Sequence, residues 1–211
     1  VILMVDGKQV AEKVYVKNPT NLYTLQAKAG KEYHIEILFK QRNERATLDF
    51  DLGKQVEINL NLAVEKVKDA DIVLFAGGIS PSLEGEEMPV EVSGFKGGDR
   101  TDIELPAVQR DLLKALKKAG KKVVFINYSG SAIGLVPESN TCEAILQAWY
   151  PGQAGGTAIV DVLFGDYNPA GRLPVTFYKN AGQLPDFEDY SMKGRTYRYM
   201  QQEPLFPFGH G

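Results

Sequence analysis

The sequence has very few of the residues on which metal sites and disulfides depend. Its 211 residues include one cysteine, Cys142, and two histidines, His34 and His210, which lie far apart. One cysteine forms no internal disulfide, and neither Cys–Cys nor Cys–His metal-ligand spacing is available. We therefore expect no metal site, and a zinc protein or a small disulfide-stabilised module is excluded.

The sequence also lacks a basic excess and a long apolar run. Its 24 lysines and arginines are outnumbered by 27 aspartates and glutamates, for a net charge of −3, so nucleic acid is not an expected partner. No apolar stretch approaches the roughly 20 residues of a membrane-spanning helix, so no membrane span is predicted. The hydrophobic fraction of 44% suffices for one or two folded domains, which excludes a disordered or fibrous chain.

Both ends of the sequence are abrupt. The chain begins at Val1, inside an apolar run and without an initiator methionine, and it stops shortly after Phe208, in what reads as a loop. We interpret it as a piece of a longer polypeptide. A signal peptide would then lie upstream of Val1, and its absence here does not indicate the compartment.

Residues 1–53 have the two-residue periodicity of β-strands. Apolar side chains alternate with polar ones in two stretches: Tyr33, Ile35, Ile37 and Phe39 in the first, and Ala46, Leu48, Phe50 and Leu52 in the second. Asp6-Gly7 and Ala29-Gly30 supply residues that suit tight turns. This region is predicted to be a small antiparallel β segment, too short to be a complete sandwich.

Residues 54–211 have a different hydrophobicity pattern, in which short uninterrupted apolar runs alternate with stretches of helical periodicity. The runs at 72–75, 123–126 and 145–146 predict parallel strands that are buried on both faces. Helical spacing predicts one helix between Pro106 and Gly120 and another at about 155–164. Together these patterns predict an α/β domain with a mostly parallel sheet.

The long loop after the 72–75 strand is the first candidate site, because ligands of open parallel sheets bind beyond the carboxyl ends of the strands. It carries four glutamates, Glu84, Glu86, Glu87 and Glu91, among several glycines. Repulsion between clustered carboxylates favours protonation of one of them, which suits a proton donor. The alternative is an acidic loop that is merely solvated.

Two other motifs indicate less. Gly77-Gly78 follows a strand, but neither the Rossmann glycine spacing nor a phosphate-binding Gly-Lys-Ser/Thr ending follows it. Ser129-Gly130-Ser131 lacks the Gly-x-Ser-x-Gly frame of a nucleophile elbow, and no base is placed for a serine. We interpret it as a strand-to-helix turn.

Several motifs in the second region occur in the order of a known family. They are EGEE at 84–87, GDRTDIELP at 98–106, VVFINYSG at 123–130, AWYPGQAGG at 148–156, DVLFGDYNPAGRLPVTF at 161–177, YRY at 197–199 and PFG at 207–209. Residues 54–211 thereby resemble the C-terminal α/β sandwich domain of glycoside hydrolase family 3, the β-glucosidases and β-xylosidases. Residues 1–53 resemble the tail of a protective-antigen-type β-barrel, which some members carry as an insertion in this domain.

The resemblance implies retaining hydrolysis by two carboxylates roughly 5 Å apart, with no cofactor. In the family the nucleophilic aspartate belongs to a preceding (β/α)8 barrel, which these 211 residues lack, so we expect the chain to be inactive alone. The acid/base glutamate comes from the sandwich domain's loop and maps first to Glu84, with Glu86 in reserve and Glu87 third. Asp99-Arg100 is expected to anchor this loop by a charge-assisted pair instead of touching the substrate.

The expected substrate is an oligosaccharide or other glycoside with a terminal β-linked glucose or xylose, released from the chain end. The resemblance leaves open which of the two sugars is preferred, and it implies an exported protein, periplasmic or extracellular. The main alternative is a non-catalytic carbohydrate-binding or structural α/β module. A nucleotide-binding domain is a weaker alternative, because phosphate-binding chemistry is missing.

Overall fold

The computed structural model describes residues 1–12, 23–40, 48, 50, 52–54, 56–85, 90 and 92–211. The chain forms two compact units, Val1–Val56 and Glu57–Gly211. The assignment of residues 1–53 to a protective-antigen-type insertion stays a prediction.

The first unit is built on a three-stranded antiparallel sheet. Its strands are β1 (Ile2–Val5), β2 (Lys8–Glu12) and β3 (Ile35–Leu38), in the order β2-β1-β3. The predicted turn at Asp6-Gly7 joins β1 to β2, and both residues have the positive φ of a two-residue hairpin loop, 51° and 72°. The second predicted strand, at 46–52, falls mostly outside the described residues.

The second unit alternates helices with strands, as the sequence predicts. In chain order its elements are α1 (Leu60–Lys66), β4 (Ile72–Gly78), β5 (Phe95–Lys96), β6 (Asp99–Arg100), α2 (Ala107–Lys118), β7 (Lys122–Tyr128), α3 (Val136–Thr141), β8 (Ala144–Gln147), α4 (Gly155–Phe164), a 3-10 turn (Ala181–Gln183) and α5 (Thr196–Tyr199). Strands β4, β7 and β8 form a parallel sheet in the order β4-β7-β8. The predicted α/β class is confirmed.

Helix α2 packs on the parallel sheet through its apolar stripe. Leu113 and Leu116 are buried against Val123 of β7, with Val73 of β4 beside them. Burial of a leucine side chain stabilises a fold by about 1.5–3 kcal/mol, so this contact is a main source of the unit's stability. The helix ends before Gly120, which takes the positive φ of 74° expected of a glycine after a helix.

The prediction that all three strands are buried on both faces is wrong for β4. Its residues Val73 and Phe75 pack under the helices, whereas Ile72 and Leu74, which point to the other face, are 54% and 52% exposed. Among the strands that the structure describes, β4 lies at the sheet edge, and no described helix covers this face of it. In the central strand β7, by contrast, Phe125 and Ile126 point to opposite faces and both are buried.

The segment after α4 folds back over the carboxyl side of the sheet. Phe177 is 1% exposed and forms an antiparallel bridge with Phe206. Its ring also meets Trp149 edge-on, with centroids 6.1 Å apart. These aromatic contacts join the end of the chain to the core on which the loop after β4 rests.

Candidate active site

The loop after β4 starts from a rigidly held residue. Ile79 is 1% exposed, and its N–H donates to the carbonyl of Tyr128 at 2.8 Å, which continues the pairing of β4 with β7. The Tyr150 hydroxyl donates to the Ile79 carbonyl at 2.7 Å. The start of the loop is therefore fixed both to β7 and to the segment after β8.

Gly78 explains why the strand ends in a pair of glycines. The side chain of Gln109 accepts from the Gly78 N–H at 2.8 Å and donates to the Gly78 carbonyl at 2.7 Å. Gly78 has a φ of 132°, and a Cβ there would collide with the backbone of Tyr128. Only glycine fits at 78, where it allows close backbone packing, and a Cβ at Gly77 would meet the side chains of Phe75 and Gln109, so the pair has a structural role.

Glu84, the first predicted acid/base residue, lies where this loop turns back toward the sheet. Its N–H donates to the Ser80 carbonyl at 3.2 Å. Its carboxylate accepts a hydrogen bond from the Ser131 hydroxyl at 3.0 Å and lies 3.7 Å from the Arg100 guanidinium. The side chain is 25% exposed, so the carboxyl group is held in place yet remains within reach of a ligand.

Arg100 is the centre of these contacts and is itself 11% exposed. Its Nη1 donates to the Ser131 hydroxyl at 2.7 Å and to the Ala132 carbonyl at 3.0 Å, and its Nε donates to the Asp102 carbonyl at 3.2 Å. Arg100 thus contacts the loop at Glu84, and its expected role as an anchor that does not touch the substrate stays a prediction. Its carboxylate partner is Glu84, because Asp99 is exposed and forms no ion pair within the described part of the chain.

The other candidate glutamates lie outside the described residues. They are Glu86, Glu87 and Glu91. Of the predicted acid/base candidates, Glu84 lies within the described residues.

Sequence reasoning missed the role of Ser131, which it interpreted as part of a turn. The serine follows β7 at the same sheet edge as the loop after β4, and its hydroxyl lies between Arg100 and Glu84. Its position after a predicted parallel strand was the available signal, since the carboxyl ends of neighbouring strands meet at one edge.

A mostly apolar hollow of about 370 Å³ adjoins the loop. It is lined by Gly77, Gly78, Ile79, Ser80, Pro81, Leu83, Gln109, Tyr128 and Tyr150. The hollow is open to solvent, and Leu83 in its wall is the residue before Glu84, whose side chain does not line it.

A buried ion pair supports the segment that carries Ser131. Arg110 donates to both carboxylate oxygens of Glu138, at 2.8 and 3.2 Å, and to the Gly134 carbonyl at 2.7 Å, and it also pairs with Glu104. Burial acts to lower the pKa of Arg110, but the hydrogen bonds to Glu138 and Glu104 outweigh it and raise that pKa. The cluster joins α2 and α3 to the connection after β7.

Within the described ranges, no group of three or more His, Cys, Asp or Glu side chains is arranged to hold a metal ion. No helix among these residues is both long and apolar enough to cross a membrane.

Residues 4–211 match the family model described as the glycosyl hydrolase family 3 C-terminal domain. The chain belongs to this family. The resemblance of residues 54–211 to this family's C-terminal domain is thereby confirmed.

Named relatives of this family 3 domain are β-xylosidases and β-glucosidases. The chain is 56% identical over 211 residues to a xylan 1,4-beta-xylosidase of Xylanibacter ruminicola, a match that covers 99% of this chain and 24% of the relative. It is 40% identical over 161 residues to a periplasmic beta-glucosidase of Salmonella typhimurium, covering 71% of this chain and 20% of the relative. The chain thus spans about a quarter or less of these relatives' length.

Solved structures of the family agree with the fold. A β-glucosidase from Erythrobacter marinus superposes with a TM-score of 0.59 at 39% identity, covering 72% of this chain and 20% of that one. A β-glucosidase from Listeria innocua superposes with a TM-score of 0.57 at 26% identity, covering 74% and 22%.

Proposed function

We propose that this family 3 domain supplies the general acid/base of a retaining, exo-acting β-glycosidase, which releases terminal β-linked xylose or glucose from oligosaccharides. The observation that carries the proposal is the placement of Glu84. Its carboxyl group is fixed at the carboxyl edge of the parallel sheet by Ser131 and lies beside Arg100, yet it is a quarter exposed. The named xylosidase and glucosidase relatives support the substrate class.

In the proposed reaction, Glu84 acts twice. It first donates its proton to the glycosidic oxygen, so that the leaving group departs as an alcohol while a carboxylate nucleophile forms a glycosyl-enzyme. It then takes a proton from the water that hydrolyses this intermediate, which returns Glu84 to its protonated form. The nucleophile would be an aspartate from a preceding (β/α)8 barrel of the same protein, at roughly 5 Å.

The choice among the loop glutamates is part of the proposal. Glu84 comes first, Glu86 is the reserve and Glu87 is third. Contacts with a serine hydroxyl and a guanidinium also suit a carboxylate that merely anchors the loop, in which case the proton donor would be Glu86. Kinetics separate these roles, because only a proton donor affects poor leaving groups selectively.

The proposed compartment is outside the cytoplasm, periplasmic or extracellular. It is supported by the relative from Salmonella typhimurium, which is named a periplasmic enzyme.

A domain exchange tests the proposed activity. This chain would replace the matching region of the Xylanibacter ruminicola xylosidase, whose 56% identity over 99% of the chain defines the junctions. The chimera is expected to hydrolyse 4-nitrophenyl β-xyloside or β-glucoside, and the ratio of the two kcat/KM values gives the sugar preference. A chimera that unfolds cooperatively but hydrolyses neither substrate would favour a non-catalytic carbohydrate-binding or structural module.

Single substitutions in the active chimera test the acid/base assignment. Glu84→Ala is expected to lower kcat/KM for xylobiose by about 10²–10⁴-fold, the usual contribution of a general acid, and to affect an activated 2,4-dinitrophenyl xyloside much less. Glu143→Ala, which removes an exposed glutamate at the start of β8, is the matched control. The same signature in Glu86→Ala or Glu87→Ala, with Glu84→Ala unaffected, would move the role to that residue.

A further inference from the structure

A chain of hydrogen bonds runs from the interior of the parallel sheet to Ser131. The Asn127 side chain, fully buried at the end of β7, donates to Gln147 Oε1 of β8 at 2.6 Å. Gln147 Nε2 donates to the Ser129 hydroxyl at 3.1 Å, and that hydroxyl donates to the Ser131 carbonyl at 2.9 Å. The Ser131 carbonyl is therefore held by the Ser129 hydroxyl, which is itself held by Gln147 of β8.

The other end of this chain of hydrogen bonds is the Glu84 carboxylate. The Ser131 hydroxyl has one proton, which it donates to Glu84, and its lone pairs accept from Arg100 Nη1 at 2.7 Å. Arg100 polarises the hydroxyl in the direction that strengthens its bond to Glu84, since hydrogen bonds in a chain reinforce one another. The Ser131 hydroxyl therefore accepts from Arg100 and donates to Glu84, and this arrangement holds the Glu84 carboxyl group in one orientation.

In the described part of the chain, the guanidinium of Arg100 has one carboxylate partner. Arg100 Nη2 is buried without a hydrogen-bond partner there, and Glu84 is the carboxylate within ion-pair distance of its guanidinium. Glu84 is therefore the carboxylate that both Arg100 and the Ser131 hydroxyl contact.

We propose that Ser131 is a positioning residue for the proton-transfer steps, which orients the Glu84 carboxyl group through its hydroxyl and is itself held by Arg100 and the buried Asn127–Gln147–Ser129 network. The proposal rests on the function proposed above. Proton transfer requires hydrogen-bond distance to the reacting oxygen, and a displacement of about 1 Å can cost up to about 100-fold in rate. Ser131 does not touch the substrate in this account.

The kinetic test uses the chimera and two substitutions at one position. Ser131→Ala is expected to lower kcat for xylobiose about 10-fold, to change KM less than about 2-fold and to leave kcat/KM for 2,4-dinitrophenyl xyloside nearly intact, because forming the glycosyl-enzyme from an activated leaving group needs little protonation. Ser131→Thr, which keeps the hydroxyl, is expected to recover most of the loss. Ser139→Ala is the matched control, because the Ser139 hydroxyl donates within its own helix to the Val136 carbonyl.

A second measurement on the 211-residue chain itself needs no activity. The N–H groups of Leu83 and Glu84 both donate to the Ser80 carbonyl, so their hydrogen exchange reports on the loop turn. Ser131→Ala and Glu84→Ala are each expected to accelerate this exchange several-fold, and the double variant is expected to be no faster than either single one.

The outcomes separate this proposal from the one on which it rests. Suppose that Glu84→Ala shows selective loss with poor leaving groups. If Ser131→Ala then slows both substrates equally, or if the rate loss of the double variant equals the product of the two single losses, the positioning role is overturned and the acid/base role stands. If Glu84→Ala has no selective effect, both proposals are overturned. If Ser131→Ala selectively slows substrates with poor leaving groups, and has no such effect when Glu84 is already alanine, both proposals are supported.

Discussion

Replacement of Arg110 by methionine is expected to destabilise the second unit strongly, because it breaks a buried ion pair. The carboxylate of Glu138 is 1% exposed and receives two hydrogen bonds from Arg110, which also donates to the Gly134 carbonyl. Removal of one partner of a buried pair costs about 3–5 kcal/mol, since the remaining charge is left without compensation. At about 2–4 °C per kcal/mol for a unit of this size, the midpoint of thermal unfolding should fall by about 10 °C.

Thermal unfolding followed by circular dichroism measures this effect. Lys114→Met, an exposed change on the same helix, is the control and should shift the midpoint by less than about 2 °C. The double variant Arg110→Met/Glu138→Leu should recover a large part of the loss, because the buried charge of Glu138 is removed with its partner, whereas Glu104, 28% exposed, keeps contact with solvent. A fall of less than about 3 °C in Arg110→Met, or a double variant no more stable than the single, would refute the reasoning.

Two further predictions concern single residues. Burial, with the charge of Glu138 nearby, raises the pKa of the Cys142 thiol to about 11. Iodoacetamide at pH 8 should therefore label the folded chain at least about 10-fold more slowly than the urea-unfolded chain, and equal labelling rates would show that the thiol is not shielded. Because the unfolded thiol titrates near about 8.5, this group favours folding below that pH, and its contribution is lost as the pH rises toward 11. Gly78→Ala should lower the unfolding midpoint by about 10 °C or more, because the new Cβ meets the backbone of Tyr128, whereas Gly152→Ala, with open space around it, should change it little; equal midpoints would contradict the packing argument.

The elements that the sequence predicts correctly are those with strong local signals. The solid apolar run of β7 and the helical stripe of α2 both appear where they were expected, and α4 covers 155–164 and ends at Gly165, which has the left-handed conformation of a helix end. These segments have one favourable conformation by local pattern alone, and tertiary packing agrees with it.

The features that the sequence did not predict depend on long-range contacts. Helix α3 is six residues long and carries the buried Glu138, whose partner lies 28 positions earlier in α2. The Ser131–Glu84 hydrogen bond joins residues 47 positions apart. No local periodicity encodes such pairs, because they arise when the parallel strands bring their carboxyl ends together.

The exposed face of β4 was missed for a related reason. A solid apolar run predicts burial but not which strand stands at the sheet edge, so Ile72 and Leu74 could not be distinguished from their neighbours in β7. Strand order, which the run itself does not specify, decides their exposure.

The most direct test of the central claim is the product that the Glu84→Ala chimera forms with azide and an activated aryl xyloside. Without the acid/base carboxylate, water attacks the glycosyl-enzyme slowly, and the small anion azide can take its place without proton transfer. We predict faster turnover with azide and a glycosyl azide of retained β configuration, identified by nuclear magnetic resonance. Unchanged turnover with free sugar as the sole product, or an α-glycosyl azide, would contradict the assignment of Glu84 as the acid/base of a retaining glycosidase.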